Sequence, residues 1–178
     1  MHVSADVRDR FRQAASAAAC TVHEIADWEE VAALLAECGD PVTVPPSLAS
    51  DPLLEALRDA GVSWRMPRHD GDSEVVGEDL AVGVVRAEAG VGETGSVLLV
   101  EHALVDRVVS MLCRRLVVVV DAEALVASLD DVAAWLADRP AGASFVSLIT
   151  GPSRTADIER SLTIGVQGPD AMDVVVVG

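Results

Sequence analysis

Two stretches limit what this chain can fold into: LVVVVD at 116–121 and DVVVVG at 173–178, each with four consecutive valines. A strand with one face in water alternates apolar and polar residues. An uninterrupted β-branched run needs both faces covered, as in a parallel sheet packed between helices. CTVHEI (20–25), PVTV (41–44), LAVGVVRA (80–87), SVLLVE (96–101) and SFVSLIT (144–150) are further strand candidates. Between them run segments of helical period. Val7, Phe11, Ala14 and Ala18 share one helix face. Asp27 and Glu30 resemble a capping box before Trp28, Val31, Leu34, Leu35 and Cys38, with Gly39 as the stop. Asp51 caps a helix that has Pro52 at its first position and ends at Gly61. A short helix reaches Leu112, another starts at Asp121 with Leu125, Leu129, Val132 and Leu136 as its buried stripe, and a last one starts near Thr155. Residues 68–79 read as an exposed loop. The pattern predicts a layered α/β domain with a largely parallel central sheet.

With 178 residues, 51% of them hydrophobic, the chain can bury a sizeable core as one domain. Its longest apolar run is far short of the roughly 20 residues that span a bilayer, and no signal pattern opens it, so a soluble, cytoplasmic protein is expected. Thirteen basic against 29 acidic residues give a net charge of −16, which argues against nucleic acid and anionic membrane as partners. All the basic residues are arginine. Without Lys or Tyr, Schiff-base lysines, a Walker lysine and tyrosine acids are excluded. Cys20, Cys38 and Cys113 form no C-x-x-C, and His2, His23, His69 and His102 show no ligand spacing, so no metal site is expected. The histidines are read as surface or interface residues. Arg86, Arg114 and Arg115 are read either as an interface with an acidic partner or as scattered surface arginines.

AGVGETGSVLLV (89–100) spells G-x-G-x-x-G through Gly90, Gly92 and Gly95. A dinucleotide fingerprint leads a strand into a helix whose free N–H groups hold the pyrophosphate. SVLLV is a strand, so dinucleotide binding through this loop is not expected. Two readings stay open. Either the glycines build a hairpin with Glu93 and Thr94 solvated at its tip, or Glu93 carries chemistry on a functional loop. LITGPSRTADIE (148–159) leaves a strand at Thr150, turns at Gly151 and Pro152, and is expected to enter a helix. Ser153, Thr155 and free N–H groups would hold an anion there, with Arg154 as a two-pronged donor. The alternative is a well-capped helix with Arg154 paired to Asp157 or Glu93. In GVQGPDAMDVVVVG (165–178), Gly165, Gly168 and Pro169 make a tight turn, with Gln167 at its tip as a candidate donor.

GETGS, DRVVSML, ITGPSRTADIE and GVQGP, in that order before a short apolar strand, resemble the lactate-utilization protein C family, or LUD-domain proteins. The resemblance covers about residues 80–178; the N-terminal half shares only helix and strand order. It implies a three-layer, Rossmann-like α/β fold similar to the sugar-phosphate isomerase and CoA-transferase superfamily. Helices would lie on both faces of the sheet, a strand-loop-strand insertion near 80–101, and a single domain would span 1–178. It also implies a part in oxidising L-lactate to pyruvate beside iron–sulfur partner subunits that carry the clusters, this chain binding no cofactor. Matching motif positions make Glu93 the catalytic candidate. Thr94, Gly95, Ser96, Gly151, Pro152, Ser153, Arg154, Thr155, Asp157, Gly168 and Pro169 are the ligand-binding candidates. Departures occur at Cys113 and Leu116, in place of a family proline and histidine, at Gln167 in place of a histidine, and at Met172 and Asp173 in place of an L-H pair. Losing the Leu116 and Gln167 histidines removes natural proton carriers near neutral pH.

Two functions follow. One is an accessory subunit of L-lactate oxidation that binds a small organic acid or other anion, or organises partner subunits. The other is an enzyme of the CoA-transferase or isomerase type using Glu93 as nucleophile or proton shuttle. A homo-oligomer is left open.

Overall fold

A computed structural model describes residues 5–39, 41–69, 75–76, 80–139, 142, 145–157, 161–164 and 168–178. Helix α1 (Ala5–Ala17) buries Phe11 and Ala15 and leads into strand β1 (Thr21–Ile25). Helix α2 (Trp28–Cys38) starts where the sequence predicts: Glu30 N–H donates to Asp27 Oδ1 at 3.0 Å, and Ala26 N–H donates to the Glu30 carboxylate at 3.2 Å. These bonds satisfy donors that a helix start leaves open. Next come β2 (Val42–Thr43), α3 (Pro52–Asp59), capped by Asp51 through Leu53 N–H, and β3 (Trp64–Arg65). A short hairpin of β4 (Arg68–His69) and β5 (Val75–Val76) occupies part of the expected 68–79 loop. Then follow β6 (Val82–Arg86), β7 (Ala89–Val91), β8 (Ser96–Glu101), α4 (Leu104–Leu112) and β9 (Arg115–Asp121). The last elements are β10 (Leu125–Val126), α5 (Leu129–Ala137), β11 (Phe145–Ile149), β12 (Arg154–Asp157), β13 (Ser161–Ile164) and β14 (Ala171–Val177).

Six strands form an all-parallel sheet in the order β1-β14-β9-β6-β2-β3. The valine runs supply its centre, and successive valines alternate faces. Val118, Val120, Val174 and Val176 pack with Phe11 and Ala15 of α1 and Val108 and Val109 of α4. Val117, Val119, Val175 and Val177 pack with Val31 and Leu35 of α2 and Leu53, Leu54 and Leu57 of α3. Each buried valine contributes about 1.5 kcal/mol of transfer free energy, so β9 and β14 anchor both cores at once. The three-layer arrangement with helices on both faces is therefore present.

The inserted hairpin is β7 and β8; β6 belongs to the central sheet. The hairpin sits in a second, four-stranded sheet ordered β10-β7-β8-β11, with Val91 and Leu98 packed against Val132 of α5.

Two helix expectations are corrected. The segment after Asp121 does not begin a long helix. It makes a 3-10 turn at Ala122–Ala124, and Leu125 and Val126 then pair with Gly90 and Val91 of β7. The helix starts only at Leu129, after Ser128, whose N–H donates to Asp131 Oδ2 at 2.9 Å. Val132 is buried, but Leu129 and Leu136 are exposed, so the expected buried stripe is split between a strand and a helix. A free sheet edge at β7 outweighs local periodicity here. The second correction is at 154–164, where the expected helix is the antiparallel hairpin of β12 and β13, Thr155 facing Thr163. The β-branched residues Thr155, Thr163 and Ile164 favour that pleated geometry. Gly165 and Gln167 lie outside the described residues.

Candidate functional site

Several motif segments meet at the carboxyl end of α1. Gly95, at φ +68°, closes the β7–β8 turn through its N–H to Val91 O at 2.8 Å. A Cβ there would lie 2.1 Å from Ala15 N. Gly151, at φ +77°, is equally close to α1, its Cβ position 2.1 Å from Ala18 O. A chain of hydroxyls joins the two segments: Thr94 Oγ1 is 2.7 Å from Ser96 Oγ, which is 2.6 Å from Thr150 Oγ1. Ser153 N–H donates to Pro169 O at 2.9 Å, and Gly168 lies against Ser153. Thr94, Gly95, Ser96, Gly151, Ser153, Gly168 and Pro169 are thus brought together, with Pro152 in the same turn.

Glu93 is engaged elsewhere. Leu129 N–H donates to Glu93 Oε2 at 3.1 Å, so this carboxylate serves the start of α5. It borders a hollow of about 370 Å³ with Arg10, Gln13 and Gly92. Arg154, Thr155 and Asp157 run out along β12, so no helix N-terminus is available there to hold an anion. The capping role of Glu93 predicts that Glu93→Gln, which keeps an acceptor, melts within about 0.5 kcal/mol of wild type. Glu93→Ala loses about 1 kcal/mol. Thermal denaturation of both variants checks the capping role.

Topology points to a second place. β2 and β6 are neighbours, yet the chain leaves β2 outward toward β3 and leaves β6 toward β9. Such a reversal opens a crevice at the carboxyl ends of the strands, where open α/β sheets bind ligands. Here it is a cavity of about 420 Å³ walled by Ser47, Arg86, Glu88, Glu101, Asp106 and Asp121. Arg86 donates from Nη1 to Asp51 Oδ2 at 2.8 Å and from Nη2 to Asp121 Oδ2 at 2.6 Å, with its guanidinium 5.2 Å from the Trp28 ring centroid. Burial works against its charge, but the two aspartates outweigh that and raise its pKa. Asp106 accepts from Ser47 N–H at 3.1 Å and Ala103 N–H at 3.2 Å, tying the 46–48 turn to α4. Glu101 is 6% exposed; Ser110 Oγ–H donates to its Oε1 at 2.6 Å, while Oε2 is buried without a hydrogen bond. Burial pushes the Glu101 carboxyl up, with Asp106 adding to the push and Ser110 and Arg107 opposing it. No motif in the sequence marks this site. Its signal was a charged residue ending each of VGVVR, SVLLVE and LVVVVD.

Near the amino ends of the strands, away from the cavity, Asp173 is 1% exposed on β14. Arg115 donates to it from Nε at 2.7 Å and Nη2 at 3.0 Å, and His23 Nε2 lies 3.0 Å away. Burial alone would raise the Asp173 pKa, but Arg115 and His23 hold it below the ordinary carboxylate range. His23 is therefore a partly buried structural partner, and Arg115 is no loose surface cation. Leu116 is fully buried and pairs with Met172 across β9 and β14, so the position where the resemblance places a histidine is core. Burial pushes the Cys113 thiol up to about 12, which leaves it inert.

The parallel sheet, the inserted second sheet and the switch-point cavity define a Rossmann-like α/β protein. Residues 73–177 match the LUD domain model, and the chain belongs to the LUD-domain family. It is 30% identical to lactate utilization protein C of Geobacillus thermodenitrificans over 143 residues, covering 74% of this chain and 60% of that protein. The Macrococcus caseolyticus protein of the same name is 32% identical over 106 residues, or 57% and 46% of the two chains. The chain thus spans about half the length of the curated relatives it matches. A crystal structure of a DUF162 family protein from Deinococcus radiodurans shares the fold, with a TM-score of 0.65 over 99% of both chains at 18% identity.

Proposed function

We propose that this chain serves a lactate-utilization system as an accessory component that docks iron–sulfur partner subunits. Its likeness to proteins named lactate utilization protein C supports the setting. One observation carries the docking role. Every exposed large hydrophobic among the described residues lies on α4 (Leu104, Met111, Leu112), α5 (Leu129, Leu136) or β11 (Phe145, Leu148). β11 ends the four-stranded sheet and pairs on one side, with β8. Apolar patches around an open strand edge mark association surfaces. Cys20 and Cys113 sit in the apolar core, so cluster ligation by this chain would require core thiols to ionise. That supports redox centres held by partners.

The test is recovery of partners. The tagged chain from cells growing on L-lactate is expected to co-purify with the iron–sulfur proteins encoded beside it, and Leu148→Arg to cut that recovery at least tenfold with an unchanged melting curve. If Leu148→Arg instead splits a homodimer by light scattering and leaves partner recovery intact, the face belongs to a second copy and the docking role fails. Acyl-CoA followed by hydroxylamine tests the transferase alternative: a modified Glu93 would replace the accessory reading by an enzymatic one.

A further inference from the structure

We infer that the protein partner of the docking face adds a β-strand to the open edge of β11, and that this strand is an extended segment in which apolar and basic residues alternate. The inference rests on the docking role proposed above and specifies how the contact is made.

The direction of the backbone groups on β11 follows from its neighbours. Leu98 O accepts the N–H of Glu88, the residue before β7, at 2.8 Å, so the backbone of Leu98 faces the β7 side. Along an antiparallel strand, successive residues turn their N–H and C=O to opposite sides. Val97, Leu99 and Glu101 therefore face β11, where they stand opposite Ile149, Ser147 and Phe145. Val146 and Leu148 are left with both backbone groups turned outward, and among the described residues no strand pairs with that side. Exposed edges are blunted in most sheets by a charge, a proline or a bulge. FVSLI has no charge and no proline, and it pairs with β8 without interruption from Phe145 to Ile149.

Helices stand on both faces of this edge. The Arg107 guanidinium of α4 lies over the Phe145 ring, 4.9 Å from its centroid. Val146, pointing to the other face, packs in the cluster of Val132 and Trp135 of α5. An added strand would gain main-chain hydrogen bonds to Val146 and Leu148 and side-chain contacts above and below the sheet, as in β-augmentation. A docked helix would leave the outward N–H and C=O groups unanswered. Charge decides the chemistry of the strand. α5 presents Asp130, Asp131 and Asp138 against Arg139, and the whole chain carries −16, so basic residues are complementary and a second copy of this chain is repelled.

Two variants at one position test the backbone directly. Leu148→Pro removes an outward N–H and spares the β8 ladder, a placement that edge strands tolerate. Leu148→Ala removes the side chain and keeps the N–H. Partner recovery from cells growing on L-lactate is expected to fall at least about tenfold further in Leu148→Pro than in Leu148→Ala, with melting curves showing both folded. Hydrogen exchange of the recovered wild-type assembly is expected to show the Val146 and Leu148 amides protected relative to the free chain. Equal recovery of the two variants, or protection confined to amides of α4 and α5, would overturn strand addition and leave the docking role standing. Recovery of no partner by the wild type would sink the docking role itself, and the edge is then tested alone with a short peptide alternating valine and arginine. Protection of the same two amides that is lost when the peptide backbone is N-methylated supports the strand site; equal binding of the methylated peptide overturns it, because that copy keeps the charge and loses only the N–H groups.

Discussion

Arg115→Met is expected to lower the free energy of unfolding by about 4 kcal/mol, the range found when one partner of a buried ion pair is removed. Asp173 sits on β14 between β1 and β9, 1% exposed, with Arg115 giving it two hydrogen bonds. Without the guanidinium, the carboxylate keeps only His23 in the middle of a sheet. Removing the other partner costs less. The Arg115 side chain is 39% exposed and can rehydrate, so Asp173→Asn loses about 2 kcal/mol. The double variant should regain part of the Arg115→Met loss, because no buried charge is left alone. The pH dependence changes sign between variants. In the wild type the folded Asp173 pKa is depressed, so its contribution is complete above the ordinary carboxylate value and disappears as pH falls through the lower, folded one. In Arg115→Met burial acts with less opposition and raises that pKa, so stability falls as pH rises above the ordinary carboxylate value. Urea denaturation carried from pH 7 down through the acid range below the ordinary carboxylate value reads both effects. A loss under about 1 kcal/mol in Arg115→Met would show that water reaches Asp173.

What the sequence made legible was whatever local pattern determines. Four valines in a row dictate burial on both faces, and in LVVVVD and DVVVVG every one of the eight valines is buried. Asp27 and Asp51 announce their helices because a cap bonds to an N–H two or three residues away. The strand after Gly95 was legible for the same reason, and it excluded a dinucleotide loop. Pairings between distant segments were not legible. Leu125 and Val126 have helical spacing, and only β7, more than 30 residues earlier, makes them a strand. Residues 154–157 look like a capped helix start until 161–164 fold back on them. The cavity depends on strand order as well: Arg86 reaches Asp51 and Asp121 across three strand ends, and nothing at 86 reveals which carboxylates will arrive. Glu93 was noticed as an acid on a glycine loop, but its bond to Leu129 N–H follows from where α5 begins.

Gly95→Ala is expected to cost about 2–4 kcal/mol, and Gly61 provides the control that explains why. Both residues have φ +68°. An alanine at Gly61 would meet nothing within 4 Å, so Gly61→Ala pays only the left-handed penalty of about 1 kcal/mol. At Gly95 the same methyl would lie 2.1 Å from Ala15 N, and backbone cannot rotate aside as a side chain does. Either α1 or the turn must move, adding the 1–3 kcal/mol typical of overpacking. Moving α1 disturbs Phe11 and Ala15, which are fully buried under the central sheet. Gly151 meets the same helix at Ala18 O, so Gly151→Ala should behave alike, and the pair should be less than additive once α1 has been displaced. Melting curves of the three single variants test this directly. Equal losses at Gly61 and Gly95 would mean that the GETGS turn is not wedged against α1. The predicted gap would mean that these glycines are required because a helix end passes within van der Waals distance, whatever the turn also binds.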